Sequence, residues 1–280
     1  MIGILKIPAK TCFRLDWFRL ETLWVGAASD STSWGPSWQV MLLPFFEQGN
    51  LHAQYDFRQL RSRESIVAVG TKIPSLICPS DTADIGWDNP NANLAGRIAT
   101  YARGNYAANA GAANGFSTGD YRRVQVRGPF SMGGPPSTIA DVLDGTSNTI
   151  FLSELIIANR ATDVRGAWAY PVGSYFSGGS RYNNPPVPQE FLLPNGNALD
   201  DLKRDRNSFC SSVWANDRNL RCATPSVTNR AYQTARSRHV GGVHTARGDG
   251  SVAFTSNSIQ LQTWQRFLAI GDGQVISEDL

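Results

Sequence analysis

The chain lacks most of the motifs that would assign it a chemistry. It contains no C-x-x-C pair, so the spacing of zinc ribbons and of thioredoxin-like proteins is absent. Walker A, G-x-G-x-x-G and H-E-x-x-H motifs are also missing, which removes the common signatures of nucleotide binding and of zinc hydrolases. Basic residues are scattered along the chain, and the net charge is only +3. We therefore expect no nucleic acid partner.

Long apolar segments are absent as well. Residues 1–8 are apolar only in short pieces, because Lys6 and Pro8 interrupt them. This stretch is too short for the core of a signal peptide and far too short to cross a membrane. No other stretch reaches about 18 apolar residues. The sequence as it stands predicts no export signal and no membrane span.

The composition is that of a folded protein with many turns. Of the 280 residues, 41% are hydrophobic and 18% are charged, which is typical of globular chains. Helical and strand-like patterns are mixed without a regular βαβ alternation, and this favours an α+β fold that is rich in β structure. We expect an antiparallel sheet, a few short helices and long loops. Residues 178–236 are mostly loop and are interpreted as an insertion.

Four local elements are predicted near the middle and end of the chain. Residues 137–145 are typical of a short helix, with Ser137 as N-cap and Gly145 at the end. Residues 242–255 predict a hairpin around Asp249-Gly250, a pair that suits a type I′ turn. A helix is expected from Ser258 to near residue 271. A short strand is expected at 275–277.

The chain has four cysteines, and two of them are candidates for a disulfide. Cys210 and Cys222 flank a polar segment, and in an oxidising compartment their pairing would contribute roughly 3 kcal/mol in the chain-entropy model. The alternative is a pair of reduced, buried thiols. Cys78 lies where an apolar run enters a turn, and we expect it to be a small core residue.

The histidines and acidic residues suggest metal sites only weakly. On an extended strand His239 and Asp249 would lie roughly 30 Å apart, so we expect His239 to bind a backbone group. His244 is then expected on the opposite face. A zinc set of Cys210, Cys222, His239 and His244 does not have the spacing of a compact finger.

Two further patterns of the sequence are weak indications of a site. Asp81, Asp84 and Asp88 are weak candidates for calcium ligands, and the alternative is a solvated turn. Residues 115–119 fit G-x-S-x-G, but neither the strand nor the helix that a nucleophile elbow requires flanks them. We interpret that segment as a loop of small residues.

The frame from His239 through nine residues to Asp249-Gly250 resembles the C-terminal H-x(9)-D-G signature of a bacterial family of unknown function. Members of that family begin with a prepilin helix and are often labelled as G-type pseudopilins of type II secretion. Five segments resemble the family in the same order: 38–57, 73–81, 100–106, 137–154 and 237–277.

The resemblance implies a pilin-like fold for residues 37–280, with His239, Gly241, Gly242, Asp249 and Gly250 as its structural motif. Residues 1–36 do not match the prepilin helix, so we expect a membrane association only through a helix missing from this sequence. The resemblance also implies a cell-surface, periplasmic or secreted location. Other pilin-like subunits or secretion components are the expected partners.

The functional expectation is a non-enzymatic structural subunit that acts through protein–protein contacts and needs no cofactor, calcium excepted. One rival is a glycan-binding module, which requires an exposed cluster of Trp and Tyr side chains. A second rival is a metal-dependent hydrolase. It requires His239 and at least two carboxylates within about 4–5 Å of one point.

Overall fold

The computed structural model describes residues 36–55, 66–94, 97–113, 123–130, 137–179, 193–196, 205–207, 209–210, 222–223 and 233–274. Over these residues the protein is a β-rich α+β protein with few short helices, as the sequence predicted. Residues 1–35, the 115–119 motif and the expected strand at 275–277 lie outside the described residues.

The main sheet has five strands and carries the functional site. The strands of the described chain are β1 Trp87–Leu94, β2 Arg97–Tyr101, β3 Tyr106–Asn109, β4 Ile150–Glu154, β5 Tyr175–Phe176, β6 Asp205–Arg206, β7 Cys222–Ala223, β8 Gly242–Arg247 and β9 Val252–Ser256. The order in the main sheet is β5, β3, β4, β8, β9. Its pairs are antiparallel except β3 with β5. Pairs β1–β2 and β6–β7 form two small sheets.

The helices are short and border the sheet. The α-helices are α1 Trp38–Leu42, α2 Gly49–Ala53, α3 Ile66–Val69 and α4 Leu261–Leu268, and the 3₁₀ turns are Leu43–Phe46, Pro74–Leu76, Ile139–Asp141 and Pro171–Gly173. Ser37 caps α1 by accepting a hydrogen bond from the Val40 amide. Trp264 and Phe267 of α4 are buried in the core. No helix in the described part of the chain has the length and apolar character needed to span a membrane.

The predicted hairpin is confirmed, but its turn differs from the expected type. Strands β8 and β9 pair from Gly242 opposite Ser256 to Ala246 opposite Val252. The loop has three residues, 248–250, because the Gly250 amide donates to the Arg247 carbonyl and the Arg247 amide donates to the Ser251 carbonyl. Gly250 adopts φ +87°. This is a turn followed by a left-handed bulge residue, not a two-residue type I′ turn.

The helix predicted for residues 137–145 is wrong. The chain forms only the 3₁₀ turn Ile139–Asp141. The Asp141 carboxylate accepts hydrogen bonds from the Thr138 amide and hydroxyl, so Thr138 rather than Ser137 begins the turn. These side-chain bonds satisfy the local amides without a longer helix. Gly145, at φ +91°, directs the chain towards β4.

Candidate functional site

Two of the three histidines of the chain lie together with a buried glutamate and a buried cysteine. The four residues Cys78, Glu154, His239 and His244 are called the Cys–His–Glu cluster here. Glu154 is the last residue of β4, and His244 lies on the neighbouring strand β8. His239 belongs to the turn before β8, and Cys78 follows the 3₁₀ turn Pro74–Leu76. Residues far apart in the sequence therefore meet at one end of the β4–β8 pair.

Three ligand-type atoms of the cluster form a small triangle. His239 Nε2 lies 3.1 Å from Glu154 Oε1. Cys78 Sγ lies 3.6 Å from His239 Nε2 and 3.9 Å from Glu154 Oε1. The Glu154 side chain is 5% exposed, whereas that of His239 is 26% exposed. The Glu154 side of the triangle is thus buried, and the His239 imidazole on the other side is partly exposed to solvent.

The second carboxylate oxygen of Glu154 is held by β8. Its Oε2 accepts a hydrogen bond of 2.7 Å from the His244 amide and lies 3.5 Å from His244 Nδ1. The rings of His239 and His244 meet edge to face, with centroids 4.8 Å apart. The expectation that these histidines face opposite ways is wrong. It assumed an extended chain, whereas Gly241 adopts φ +89° and turns the backbone before β8 begins.

A buried asparagine holds the cysteine segment against the end of β4. Asn105 Oδ1 accepts a hydrogen bond of 2.8 Å from the Cys78 amide. Its Nδ2 donates to Asp81 Oδ2 at 2.8 Å and to the Leu155 carbonyl at 3.0 Å. Asp81 Oδ2 also accepts from the Ile157 amide. The segment that carries Cys78 is therefore held against the chain after β4 by buried hydrogen bonds of Asn105 and Asp81.

The cluster concentrates negative charge next to one tyrosine. Burial raises the pKa of Tyr106, and the neighbouring Cys78 and Glu154 side chains raise it further. Arg238 lies close by, with Nε 3.7 Å from Asp81 Oδ1. The site therefore combines a thiol, a carboxylate and two imidazoles, which are donor types that bind a metal cation.

The matched family confirms part of the resemblance. A family model described as "Protein of unknown function (DUF1559)" matches residues 21–262. The chain belongs to this bacterial family. No curated protein and no solved structure matches the chain. The structure also brings together the segments on which the resemblance to the family rested.

In this DUF1559 protein, contacts link all five segments of that resemblance, four of them in or next to the cluster. Cys78 comes from the second segment, Asn105 from the third, Glu154 from the fourth and His239 from the fifth. The first segment supplies Gln39, whose side chain donates to the Tyr106 carbonyl at 2.9 Å. Sequence reasoning missed Glu154, although it lies inside the fourth segment.

The structure does not bring His239 and Asp249 together. His239 precedes β8, and Asp249 lies in the loop after it. Asp249 Oδ1 accepts a hydrogen bond from the Ser251 amide, and bonding to Ser251 lowers the pKa of Asp249. His239 contacts a carboxylate and a thiol through its ring, not the backbone group that we expected.

The three calcium candidates of this DUF1559 protein have separate partners. Asp81 is buried, and its carboxylate accepts the hydrogen bond from Asn105 Nδ2 described above. Asp84 forms an ion pair with Lys72, and Asp88 accepts a hydrogen bond from Thr100 Oγ1. Among the described residues they do not form a group of three ligand atoms within 4.8 Å of one another. We therefore assign no calcium site to them.

The cysteine pair proposed from the sequence forms a disulfide in this structure. Cys210 and Cys222 are joined, with their Cα atoms 6.0 Å apart. Because both sulfurs are bonded to each other, the zinc set with His239 and His244 has no thiolates to offer. Cys222 Sγ lies 3.5 Å from Asp163 Oδ2, at the edge of a buried ion-pair network.

That network links the 178–236 region to the core. Asp205 accepts hydrogen bonds from Arg165 at 2.8 Å and from Arg236 at 2.9 and 3.0 Å. Arg165 also pairs with Asp163 at 2.8 Å. Burial alone would raise the pKa of Asp205, but the charges of Arg236 and Arg165 lower it. Burial lowers the pKa of Arg165, while Asp163 and Asp205 raise it by more.

Proposed function

We propose that this DUF1559 protein is a non-catalytic structural subunit of a cell-surface or secretion-related assembly, with the pilin-like role that its resemblance implies. It acts through protein–protein contacts at the free edge of its main sheet. The observation that carries the proposal is an apolar surface on β9, the last strand of that sheet among the described residues.

The β9 surface consists of Val252, Phe254 and His244. The side chains of Val252 and Phe254 are 51% and 48% exposed, and alternation along the strand puts them on the same face. His244 lies opposite Phe254 on β8, with ring centroids 5.2 Å apart. An edge strand with apolar side chains offers both backbone groups and a hydrophobic surface to a partner strand.

The disulfide supports a location outside the cytoplasm. Disulfides such as Cys210–Cys222 form and persist in oxidising compartments and are rare in the cytosol. This agrees with the cell-surface, periplasmic or secreted location that the resemblance implies. A partner that the β9 surface meets there is another copy of this chain or another pilin-like subunit.

The rival functions have less support among the described residues. Every described Trp is buried, as are the described Tyr residues except the half-buried Tyr106. These side chains therefore offer no aromatic platform for a sugar ring. The cluster around His239 has one carboxylate, Glu154, where the hydrolase hypothesis needs two. Both observations reduce the support for the rival functions.

Photo-crosslinking in the source bacterium tests this proposal. A photoreactive phenylalanine analogue replaces Phe254 in one strain and Val67 in a control strain, because Val67 is 73% exposed but lies on α3. We expect adducts with a second copy or a pilin-like subunit from position 254 and none from position 67. Equal adduct formation at both positions, or a chain recovered from the cytoplasm without adducts, would contradict the proposal.

A further inference from the structure

We propose that Cys78, Glu154 and His239 form a binding site for Zn²⁺, with a fourth coordination position open to solvent. The three residues are supplied by the loop after the 3₁₀ turn Pro74–Leu76, the end of β4 and the turn before β8. None of the three ligands belongs to the β9 surface, although His244 adjoins both, and the proposal rests on the ligand geometry rather than on the structural role proposed above.

The distances between the three ligand atoms match a tetrahedral zinc ion. Bonds near 2.3 Å to sulfur, 2.0–2.1 Å to nitrogen and 2.0–2.2 Å to oxygen place tetrahedral ligands about 3.6 Å apart for S–N and S–O and about 3.4 Å apart for N–O. The corresponding distances in the cluster are 3.6, 3.9 and 3.1 Å. Each lies within about 0.3 Å of the tetrahedral value.

The chemical types of the three ligand atoms indicate which metal ion the site would bind. A thiolate, an imidazole and a carboxylate suit zinc and related borderline metals, whereas calcium and magnesium prefer oxygen ligands alone. The thiolate of Cys78 and the carboxylate of Glu154 together neutralise the two charges of the ion. On binding, the Cys78 thiol loses its proton to solvent as the S–Zn bond forms.

The ligands are held in place before any ion arrives. The Cys78 amide is fixed by Asn105 Oδ1, and the His239 amide donates to Ser237 Oγ at 3.1 Å. The His244 amide fixes the free carboxylate oxygen of Glu154 at 2.7 Å. Groups that orient metal ligands in this way commonly strengthen binding 10- to 100-fold. A hydrogen bond between His239 and Glu154 would not by itself require the Cys78 sulfur to lie within 3.6 Å of the imidazole nitrogen.

The open position follows from the ligand count and the exposure. Three protein ligands leave one position of a tetrahedral ion for water or another small ligand, as in zinc sites with an exchangeable ligand. His239 forms the solvent-facing side of the triangle, with 26% of its side chain exposed. The bound ion ties three segments that are distant in the sequence, so it also stabilises the folded chain.

Metal titration of the full chain tests the site. The 280-residue protein, with its disulfide intact and no reductant, is freed of metal and titrated with Zn²⁺ alone and with Co²⁺ alone. We expect one ion per chain and a thiolate-to-cobalt charge-transfer band. Cys78→Ser should abolish the band, and Cys78→Ser and His239→Gln should each weaken zinc binding tenfold or more. His52→Gln, at the third histidine of the chain, should change neither.

A second measurement needs no variant and so does not depend on variant folding. Alkylation of Cys78 in the wild-type chain is followed by peptide-resolved mass spectrometry with and without Zn²⁺. We expect zinc to slow it tenfold or more, because the metal-bound sulfur is not free to react. An unchanged alkylation rate would overturn the proposal. So would a wild-type chain without the cobalt band, or a zinc affinity that Cys78→Ser and His239→Gln leave intact.

Discussion

Asp205 shows at the scale of single residues how this protein keeps charges in its interior. Its carboxylate is fully buried and meets the side chains of Arg165 and Arg236. Removing one partner from such a network leaves uncompensated charge in the protein interior, which costs far more than the loss of a surface pair. The fold therefore depends on this carboxylate being ionised.

We expect Asp205→Asn to lower the free energy of unfolding at neutral pH by about 3–5 kcal/mol. The pKa of Asp205 is lowered in the folded protein. Its contribution is therefore present above the unfolded pKa of about 3.9 and is lost as the pH falls through the folded value. Urea unfolding between about pH 3 and 7 should show a smaller acid-dependent loss in the variant than in the wild type.

The matched control for this change is Asp84→Asn. Asp84 also pairs with a cation, Lys72, but both side chains are exposed. Its substitution should alter the free energy of unfolding by less than about 1 kcal/mol and leave the acid dependence as in the wild type. Identical acid dependence in Asp205→Asn and the wild type would refute the role assigned to the buried carboxylate.

At the scale of elements, the β8–β9 hairpin depends on one residue with a left-handed backbone. Gly250 adopts φ +87°, which a residue with a Cβ adopts only at a cost. Asp249 contributes less, because its carboxylate bonds the Ser251 amide at an exposed position. The loop conformation sets the register of β8 against β9, which places His244 opposite Phe254.

We expect Asp249→Ala combined with Gly250→Val to lower the free energy of unfolding by about 1–3 kcal/mol through backbone strain at position 250. Thermal unfolding checks this as a lower Tm. Gly49→Ala is the control, because a Cβ at Gly49 would meet no atom within 4 Å and its φ is not positive. An unchanged Tm in the double variant would show that the loop assignment is wrong.

At the scale of the whole molecule, a buried ion-pair network joins the described part of the 178–236 region to the rest of the protein, and a disulfide closes a loop within the region. Cys210 and Cys222 are 12 residues apart, and Cys222 lies on β7, which pairs with β6. The Asp205 carboxylate connects this region to Arg165 and to Arg236, which lies at its C-terminal end. Asp205, Asn207 and Cys222, three of the described residues of this region, are thus buried, although most of its sequence is typical of loops.

Reduction of the disulfide should lower the free energy of unfolding by about 3 kcal/mol, as expected for a short closed loop. The measurement is Tm with and without a thiol reductant. In a Cys210→Ser/Cys222→Ser variant the reductant should have no effect, because Cys78 is not disulfide-bonded. A wild-type Tm that does not respond to complete reduction would contradict a stabilising role for this bond.

Local chemistry was enough to predict several features of this protein. The α+β class, the hairpin at β8 and β9 and the pairing candidates Cys210 and Cys222 follow from composition, alternation and spacing. The final helix is also predicted, but it spans only Leu261–Leu268 and begins after Gln260 rather than at Ser258. These properties depend on neighbours within a few residues or on simple periodicity, which the sequence displays directly. The family resemblance likewise needed only the order of five short segments.

The candidate zinc site was decided by tertiary structure alone. Cys78, Glu154 and His239 are separated by 76 and 85 residues along the chain, and none of the three belongs to a metal-binding motif. Their contact depends on the pairing of β4 with β8 and on the turn at Gly241, which reverses the direction that an extended strand would give His239. Long-range strand pairing of this kind has no local signature, because any two strands of similar pattern can pair.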